Sequence, residues 1–149
     1  MRLLELNKTK LNTHYTLLNT KNMPRFVIQE HHAKKLHYDF RLEMDGVLRS
    51  WAVPKVPSKK SDIKRLAIQV DDHDLDYIGF EGEIEEGSYG AGKVKIWDNG
   101  MYELESRKEN KIVFFLHGKK LDGRYTLLQM KWGKDQWLLF KTKKEEKEQ

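Results

Sequence analysis

The residues best suited to chemistry lie between positions 25 and 54. Here His37, Asp39 and Arg41 occupy every second position, and the residues between them are aromatic or apolar. Because successive side chains of a β-strand point to opposite faces, this alternation predicts a strand with one polar and one apolar face. An imidazole, a carboxylate and a guanidinium would then project side by side, about 7 Å apart, and could converge on one small ligand.

A second imidazole, His31, ends the preceding predicted strand. Neutral imidazoles and a carboxylate are ligands for manganese, zinc or iron(II), and three protein ligands leave coordination positions open for water and a phosphate oxygen. Arg41 stays protonated and cannot ligate a metal, but its paired donors match a phosphate. The spacing H-x5-H-x-D also occurs on ordinary half-buried strands, so the pattern alone leaves both interpretations open. We expect the adjacent His32 on the opposite face.

A second polar cluster, DDHDLDY at positions 71–77, follows the predicted strand RLAIQV. His73 and Tyr77 could donate protons or hydrogen bonds to a phosphate, and a histidine near its ordinary pKa suits general acid catalysis. The composition fits an acidic surface loop equally well. Lys55 and Arg65 are further candidate cations, although a lone cation at the end of a strand is commonly just solvated.

The sequence GSYGAGKV at positions 87–94 resembles the phosphate-binding loop G-x-x-x-x-G-K-[ST], but Val94 has no hydroxyl for magnesium. The residues VKIWDNG that follow predict a strand, whereas that motif opens a helix. We therefore interpret this stretch as a glycine-rich corner between strands.

Composition limits the class of protein. The chain has 149 residues, enough for one domain, and a net charge of +5, which mildly favours polyanionic partners. The absence of cysteine excludes a disulfide or a thiolate metal site and fits a reducing, cytoplasmic setting. No apolar run approaches the length of a membrane span, and the start MRLLELNKTK lacks the apolar core of a secretory signal.

Short alternating runs separated by turn dipeptides predict a mainly β protein. Hairpin turns are expected at Asp45-Gly46, Asn99-Gly100 and Asp122-Gly123. This spacing, without long helical periodicity, favours a compact antiparallel β-barrel or sandwich. The predicted strands are 25–30, 37–44, 47–53, 65–70, 93–97, 101–105, 112–116, 125–130 and 136–141.

We divide the chain into three parts. Residues 1–24 form an N-terminal arm, whose leucines predict a short helical or irregular cover for the barrel. Residues 25–141 form the barrel domain. Residues 142–149 form a solvated tail without an apolar residue.

Four stretches, in chain order, carry a family resemblance: QEHHAKKLHYDFRLEMDGVLRSWAVPKVPS, KRLAIQVDDHDLDY, FEGEIEEGSYGAGKVKIWDNG, and LHGKKLDGRYTL with a closing W-x-L-x-K. On these residues the chain resembles the 3′-phosphoesterase domain attached to bacterial ligase D, and its stand-alone relatives in bacteria and archaea. The resemblance covers positions 25–141. It implies a compact β-barrel that binds manganese, with zinc or cobalt as alternatives.

The resemblance also implies roles for single residues. The residues that would hold the metal are His31, His37 and Asp39, in agreement with the strand-face argument. The residues that would clamp the scissile phosphate are Arg41, Lys55 and Arg65. His73 would contact phosphate or act as an acid, Tyr77 would support it, and Gln29 would lie behind these groups.

The implied activity is metal-assisted hydrolysis that removes 3′-phosphates and 3′-terminal ribonucleosides from DNA primer-template ends during end joining. The product would be a 3′-hydroxyl, usable by a separate DNA ligase and polymerase. A monomer without a membrane partner is expected.

The chain departs from the family pattern at a few positions. Val56 and Glu85 replace a usual glycine and proline, and Asp74 replaces another proline. Upstream, residues 1–24 contain only Glu5 as an acid, whereas the bacterial domains carry an acidic arm that contributes to activity. The family pattern therefore supports the removal of 3′-phosphates more fully than the removal of 3′-terminal ribonucleosides.

Two rival interpretations remain at this point. The chain could be a non-catalytic nucleic-acid-binding barrel, whose cations follow the backbone while aromatics stack on bases. It could also be an accessory domain that has lost catalysis and only docks a repair ligase or polymerase. This second alternative is disfavoured because the chain retains His31, His37, Asp39 and Arg41.

Overall fold

The computed structural model describes residues 23–88 and 90–143. Within these ranges the chain forms nine β-strands and one short 3₁₀ helix, Leu75–Gly79, between the fourth and fifth strands. The strands are β1 (Arg25–His32), β2 (Leu36–Met44), β3 (Val47–Val53), β4 (Lys64–His73), β5 (Gly82–Ile84), β6 (Gly92–Lys108), β7 (Lys111–Gly118), β8 (Asp122–Gln129) and β9 (Gln136–Lys141).

Eight strands close into an antiparallel barrel. Their order is β1-β2-β3-β4-β9-β8-β7-β6, and β6 pairs back with β1, while β5 adds to β6. The predicted mainly β barrel is therefore confirmed. The predicted N-terminal cover lies outside the described residues up to position 22, as does the tail from position 144. No helix within the described ranges is long and apolar enough to cross a membrane.

The hairpin turn at Asp45-Gly46 is confirmed. Both residues have positive φ, 58° for Asp45 and 80° for Gly46, which is the pattern of a two-residue type I′ turn. A two-residue turn fixes the register of the strands on either side of it. Arg41 on β2 is therefore paired with Ser50 on β3.

The hairpin predicted at Asn99-Gly100 is wrong. Strand β6 runs unbroken through both residues, and Gly100 pairs with Phe26 on one side and Gly118 on the other. A Cβ at Gly100 would clash with the carbonyl oxygen of His117. This glycine therefore serves the close approach of two strands and not a change of direction.

The dipeptide Asp122-Gly123 does not form the predicted turn but begins strand β8. The chain turns just before it, where the Gly118 N–H donates to the Leu121 carbonyl at 2.9 Å. The buried carboxylate of Asp98 holds that turn by accepting from the backbone N–H of Lys119 and Leu121, each at 2.8 Å. A tertiary contact from another strand thus decides where this hairpin turns.

The barrel interior is an aromatic and aliphatic core. Phe40 on β2 lies near its centre, with its ring centroid 5.9 Å from Phe114 and 6.4 Å from both Phe26 and Trp51. Offset or tilted ring pairs at these separations stabilise a core beyond the area they bury. The even-numbered residues of β2 from position 40 to 44 belong to this core. The odd-numbered residues of β2 must therefore face the other way.

Candidate active site

The face of β1, β2 and β3 that points away from the barrel core carries polar residues. These residues are nevertheless buried. Gln29 and Ser50 are 0% exposed, Asp39 is 7% exposed and Arg41 is 4% exposed. The predicted separation of a polar from an apolar face is confirmed, and these polar side chains are shielded from solvent although they point away from the core. Residues 74–88 and 90–91, with the 3₁₀ helix and β5, contribute to the covering, and a pocket of about 420 Å³ remains between this segment and the strands.

The predicted metal ligands converge in this pocket. One ligand atom from each of His31, His37 and Asp39 lies within 4.8 Å of the others. Asp39 Oδ2 is 3.3 Å from His31 Nδ1, and Asp39 Oδ1 is 3.3 Å from His37 Nε2. These residues therefore present two nitrogens and a carboxylate to one point, which is a donor set for a divalent transition metal.

The outer nitrogen of each imidazole is held by the backbone. His31 Nε2 donates to the carbonyl of Gly90 at 2.8 Å, and His37 Nδ1 donates to the carbonyl of Lys35 at 3.1 Å. Because carbonyls only accept, both outer nitrogens carry a hydrogen, and a neutral ring then directs a lone pair inward. Metal-binding histidines are typically oriented in this way. The residues present thus fit a bound metal ion.

Charges in the pocket favour an ionised carboxylate. Burial raises the pKa of Asp39, but the hydrogen bond that a protonated His37 donates to it and the charge of Arg41 outweigh burial, so the pKa lies below its ordinary value. The same hydrogen bond raises the pKa of His37, partly opposed by burial. Asp39 is therefore a carboxylate at neutral pH, as a metal ligand must be.

Arg41 lines the pocket beside these residues and is held on several sides. Its Nε donates to Gln29 Oε1 at 2.7 Å, and its Nη1 donates to Ser50 Oγ at 2.8 Å and to His73 Nδ1 at 3.1 Å. Its Nη2 is 3.5 Å from Asp39 Oδ2. A buried guanidinium with these partners is a fixed positive charge, which requires no reorganisation when an anion enters.

His73 and Tyr77 lie next to Arg41, as the second polar cluster allowed. Their rings are 4.7 Å apart, and the Arg41 guanidinium lies 5.1 Å from the centre of the Tyr77 ring. Burial and the charge of Arg41 lower the pKa of His73, and burial raises the pKa of Tyr77. Both groups are therefore neutral at neutral pH.

Gln29 connects the strands to the covering segment. Besides accepting from Arg41, its amide nitrogen donates to the carbonyls of Tyr77 and Phe80, both at 3.2 Å. The rings of Tyr77 and Phe80 stack on each other with centroids 4.9 Å apart. Gln29 thus positions Arg41 and Tyr77 together. Its predicted place is behind the residues that would hold the metal and the phosphate, and this position is consistent with that prediction.

Lys55 and Arg65 are not brought to the pocket lining in the described part of the chain. Lys55 is exposed just beyond the end of β3. Arg65 Nε donates to the carbonyl of Val56 at 2.7 Å, and Arg65 shares a strand face with the core residue Ala67. The roles implied for these two cations remain predictions.

The structure adds residues that the sequence reasoning missed. Ser50 accepts from Arg41, and the register set by the Asp45-Gly46 turn would have identified it. Lys34 lines the pocket from the β1–β2 connection. The carbonyl of Gly90 comes from the glycine-rich corner, whose interpretation as a connection between strands is confirmed. Gly92, in the same corner, packs so closely on the backbone of His32 that a Cβ would clash there.

Histidines outside the cluster have local partners. His32, expected on the other face, is exposed and lies 2.8 Å from Glu30 through its Nε2. His117 lies on the surface beside Glu103.

Comparisons with known proteins identify the family to which the chain is similar. The chain matches the model of the DNA ligase D 3′-phosphoesterase domain over residues 29–129. It is 47% identical over 135 residues to the multifunctional non-homologous end joining protein LigD of Mycolicibacterium smegmatis, covering 83% of this chain and 18% of that protein. It is 48% identical over 126 residues to the Pseudomonas aeruginosa protein of that name, covering 80% and 15%. The chain therefore spans less than a fifth of the length of these relatives.

Proposed function

The chain belongs to the family of DNA ligase D 3′-phosphoesterase domains, and we propose that it is a metal-dependent phosphoesterase that heals DNA 3′ ends. Its substrates would be primer-template ends that carry a 3′-phosphate or a 3′-terminal ribonucleoside. The product, a 3′-hydroxyl, is the group that a DNA polymerase or ligase requires. The reaction would therefore serve end joining, which is the process named in the relatives.

One observation carries the proposal. Within a single pocket, two histidines and Asp39 present inward-facing ligand atoms, and the buried guanidinium of Arg41 lies directly beside them. A cation and a guanidinium side by side can take two oxygens of one phosphate. The apolar core on the other face of the same strands offers nothing of this kind.

We propose manganese as the metal, as the family resemblance implies. Zinc and cobalt are alternatives, because two imidazoles and one carboxylate suit these ions as well. A divalent cation held by His31, His37 and Asp39 would supply Lewis acidity toward a phosphate oxygen and an activated water. Both histidines are held by backbone carbonyls, so the protein itself fixes the direction of the ligand atoms.

The residues around the metal position would bind and orient the phosphate. Arg41 offers a fixed positive charge against the negative charge that develops during displacement at phosphorus. His73 accepts from Arg41 through Nδ1, so a neutral ring carries its hydrogen on Nε2 and can donate it to a phosphate oxygen. With its pKa lowered by burial and by Arg41, His73 suits this neutral donor role better than that of a proton-releasing acid.

The experiment compares two duplex substrates, one with a recessed 3′-phosphate and one with a single 3′-ribonucleotide. Each is incubated with purified protein and manganese, zinc, cobalt or magnesium, and the product ends are identified. We expect conversion to 3′-hydroxyl ends with manganese and no conversion in EDTA. A protein that binds these duplexes without altering them under any metal would be the non-catalytic barrel instead.

The chain offers a matched control for the histidines. His37→Ala should abolish conversion, whereas His32→Ala should leave it unchanged, because His32 is exposed and paired with Glu30 away from the pocket. Equal losses in the two variants would contradict the assigned site.

A further inference from the structure

Trp132 is the most exposed large hydrophobic side chain in the part of the chain that the structure describes, and it lies outside the pocket. Trp132 is 78% exposed, whereas Trp51 and Trp137 are 1% and 4% exposed. It belongs to the turn of residues 130–135 that joins β8 to β9, hereafter the Trp132 turn, which also carries the exposed Lys131, Lys134 and Asp135 and so has a net positive charge. An exposed indole beside two lysines is well suited to contact an anionic, aromatic ligand.

The indole is held in place although it is exposed. Its Nε1 donates to Gln136 Oε1 at 2.8 Å. The turn is fixed by backbone hydrogen bonds, among them Gln136 N–H to the Gly133 carbonyl at 2.9 Å and Gln69 N–H to the Asp135 carbonyl at 2.7 Å. A ring oriented in advance loses little conformational freedom when a second ring stacks on it.

The Trp132 turn is connected to the candidate active site by one row of paired residues. Gln136 on β9 pairs with Ile68 on β4, Ile68 with Ala52 on β3, and Ala52 with Asp39 on β2. Cross-strand partners share a face of the sheet, so this row lies on the side of the pocket. Three strand spacings separate Asp39 from Gln136, a distance of about 14 Å.

The surface along this row is open to an extended ligand. Ala52 lines the pocket with its small side chain, and the next residue outward, Ile68, is 36% exposed. None of the three residues beyond Asp39 in the row is acidic, so none of them repels a phosphate backbone. Lys34 at the pocket and the two lysines of the turn place positive charge at either end of the row.

We propose that the Trp132 turn binds the unpaired template strand of the DNA substrate, with a base stacked on Trp132. The proposal rests on the proposed function, in which a recessed 3′ end occupies the pocket. Bases within a duplex stack on one another, so only unpaired bases are free to stack on an indole. Next to a recessed 3′ end these bases belong to the template. Each nucleotide spans about 3.4 Å in a duplex and can span more in an unpaired strand, so a few unpaired nucleotides can cover about 14 Å.

The test uses duplexes with the same 3′-phosphate primer strand and template overhangs of zero, two and six nucleotides, so that the first duplex is blunt and the other two have recessed 3′ ends. Steady-state KM and kcat are measured for the wild type, Trp132→Ala, Trp132→Phe and the control Leu104→Ala, which removes another exposed apolar side chain away from this row. We expect the wild-type KM to fall as the overhang reaches six nucleotides. Trp132→Ala should raise KM about tenfold for that substrate only, with kcat unchanged.

Trp132→Phe should recover most of the affinity, because a phenyl ring still stacks, and Leu104→Ala should match the wild type. The proposal is overturned if Trp132→Ala has the wild-type dependence on overhang, or raises KM equally for the blunt duplex. Fluorescence anisotropy of the same duplexes in EDTA measures binding without turnover. If the wild type hydrolyses nothing, the proposed function fails, and the overhang dependence of binding still decides the role of Trp132.

Discussion

The β2–β3 hairpin carries an arginine–carboxylate cluster at each end, and the two clusters differ mainly in burial. In the pocket, Arg41 Nη2 lies 3.5 Å from Asp39 Oδ2, and the two side chains are 4% and 10% exposed. At the turn, Arg107 Nη2 lies 2.6 Å from Asp45 Oδ2, and those side chains are 39% and 50% exposed. The shorter contact is thus the exposed one. The distance between the charged atoms alone therefore does not tell which cluster contributes more to stability and activity.

Because of its burial, the cluster in the pocket is expected to contribute more than the cluster at the turn. Ion pairs in water contribute little to stability, because solvent screens them and two side chains must be ordered. Removing a buried charge is costly because the hydrogen-bonding partners that it leaves behind are buried as well and lose a partner that water replaces poorly. Arg41 has three hydrogen-bonding side chains around it, so its cluster is a connected network. The turn cluster, by contrast, is a set of solvated pairs.

The largest effect is expected from Asp39→Asn, which keeps the shape of the side chain but removes its charge. Both imidazoles lose their carboxylate partner, and the metal loses an anionic ligand. Turnover should fall by more than the ~10–100-fold that loss of an outer partner of a metal ligand costs. Measurement of kcat and of manganese binding on the same sample checks this. Normal turnover in this variant would remove the distinction between the two clusters.

Arg41→Lys should come next. A lysine keeps the charge but cannot donate to Gln29, Ser50 and His73 with the geometry of the guanidinium. Buried acceptors left without a donor should lower the free energy of unfolding by about 1–3 kcal/mol. Turnover should fall by about 10²-fold through the lost orientation of positive charge. Thermal melting and kcat together test this, and a lysine variant as active as the wild type would show that charge alone suffices.

A pH titration tests the network through His73, whose pKa is lowered by burial and by Arg41. A depressed pKa means that the folded state disfavours the protonated ring. Stability is therefore full above the ordinary histidine value and falls as the pH drops through the lowered one. His73→Gln keeps an acceptor for Arg41 without titrating. The melting temperature of the wild type should decline more than that of this variant between about pH 7 and pH 5. Equal declines of the melting temperature in the two proteins would mean that a group other than His73 causes the loss of stability.

The smallest effect is expected from Asp45→Asn. Asparagine tolerates the positive φ of 58° at this position but loses the charge that pairs with Arg107 and Arg49. The melting temperature should change slightly, and less at high salt than at low salt. Turnover of a 3′-phosphate duplex should match that of the wild type. A loss of activity comparable to that of Arg41→Lys would mean that exposed and buried clusters are not separable in this way.

Local patterns in the sequence predict much of the pocket strand. The alternation of His37, Asp39 and Arg41 with core residues identifies the two faces of β2, and Asp45-Gly46 identifies the hairpin. The family resemblance agrees with the way that His31, His37 and Asp39 meet in the structure. All of these signals depend on residues within a short stretch of chain.

Features that depend on distant segments were not predictable. The covering residues, 74–88 and 90–91, help to bury the polar face of β2, and no local pattern indicates that. The carbonyl that holds His31 comes from Gly90, and the turn before β8 is fixed by Asp98 from another strand. Gly100 has the sequence signature of a turn but lies where two strands approach closely. In each case a tertiary contact overrides the local signal.

The proposed hydrolysis depends on a metal held by His31, His37 and Asp39. To test this, metal is removed from the wild type and from Asp39→Asn with EDTA, manganese is added back in steps, and both bound manganese and release of phosphate from a 3′-phosphate duplex are followed. Wild-type phosphate release should return in proportion to the manganese bound, whereas the variant should neither bind manganese at this site nor recover. Phosphate release by the metal-free wild type, or full recovery of the variant, would contradict this dependence on the metal.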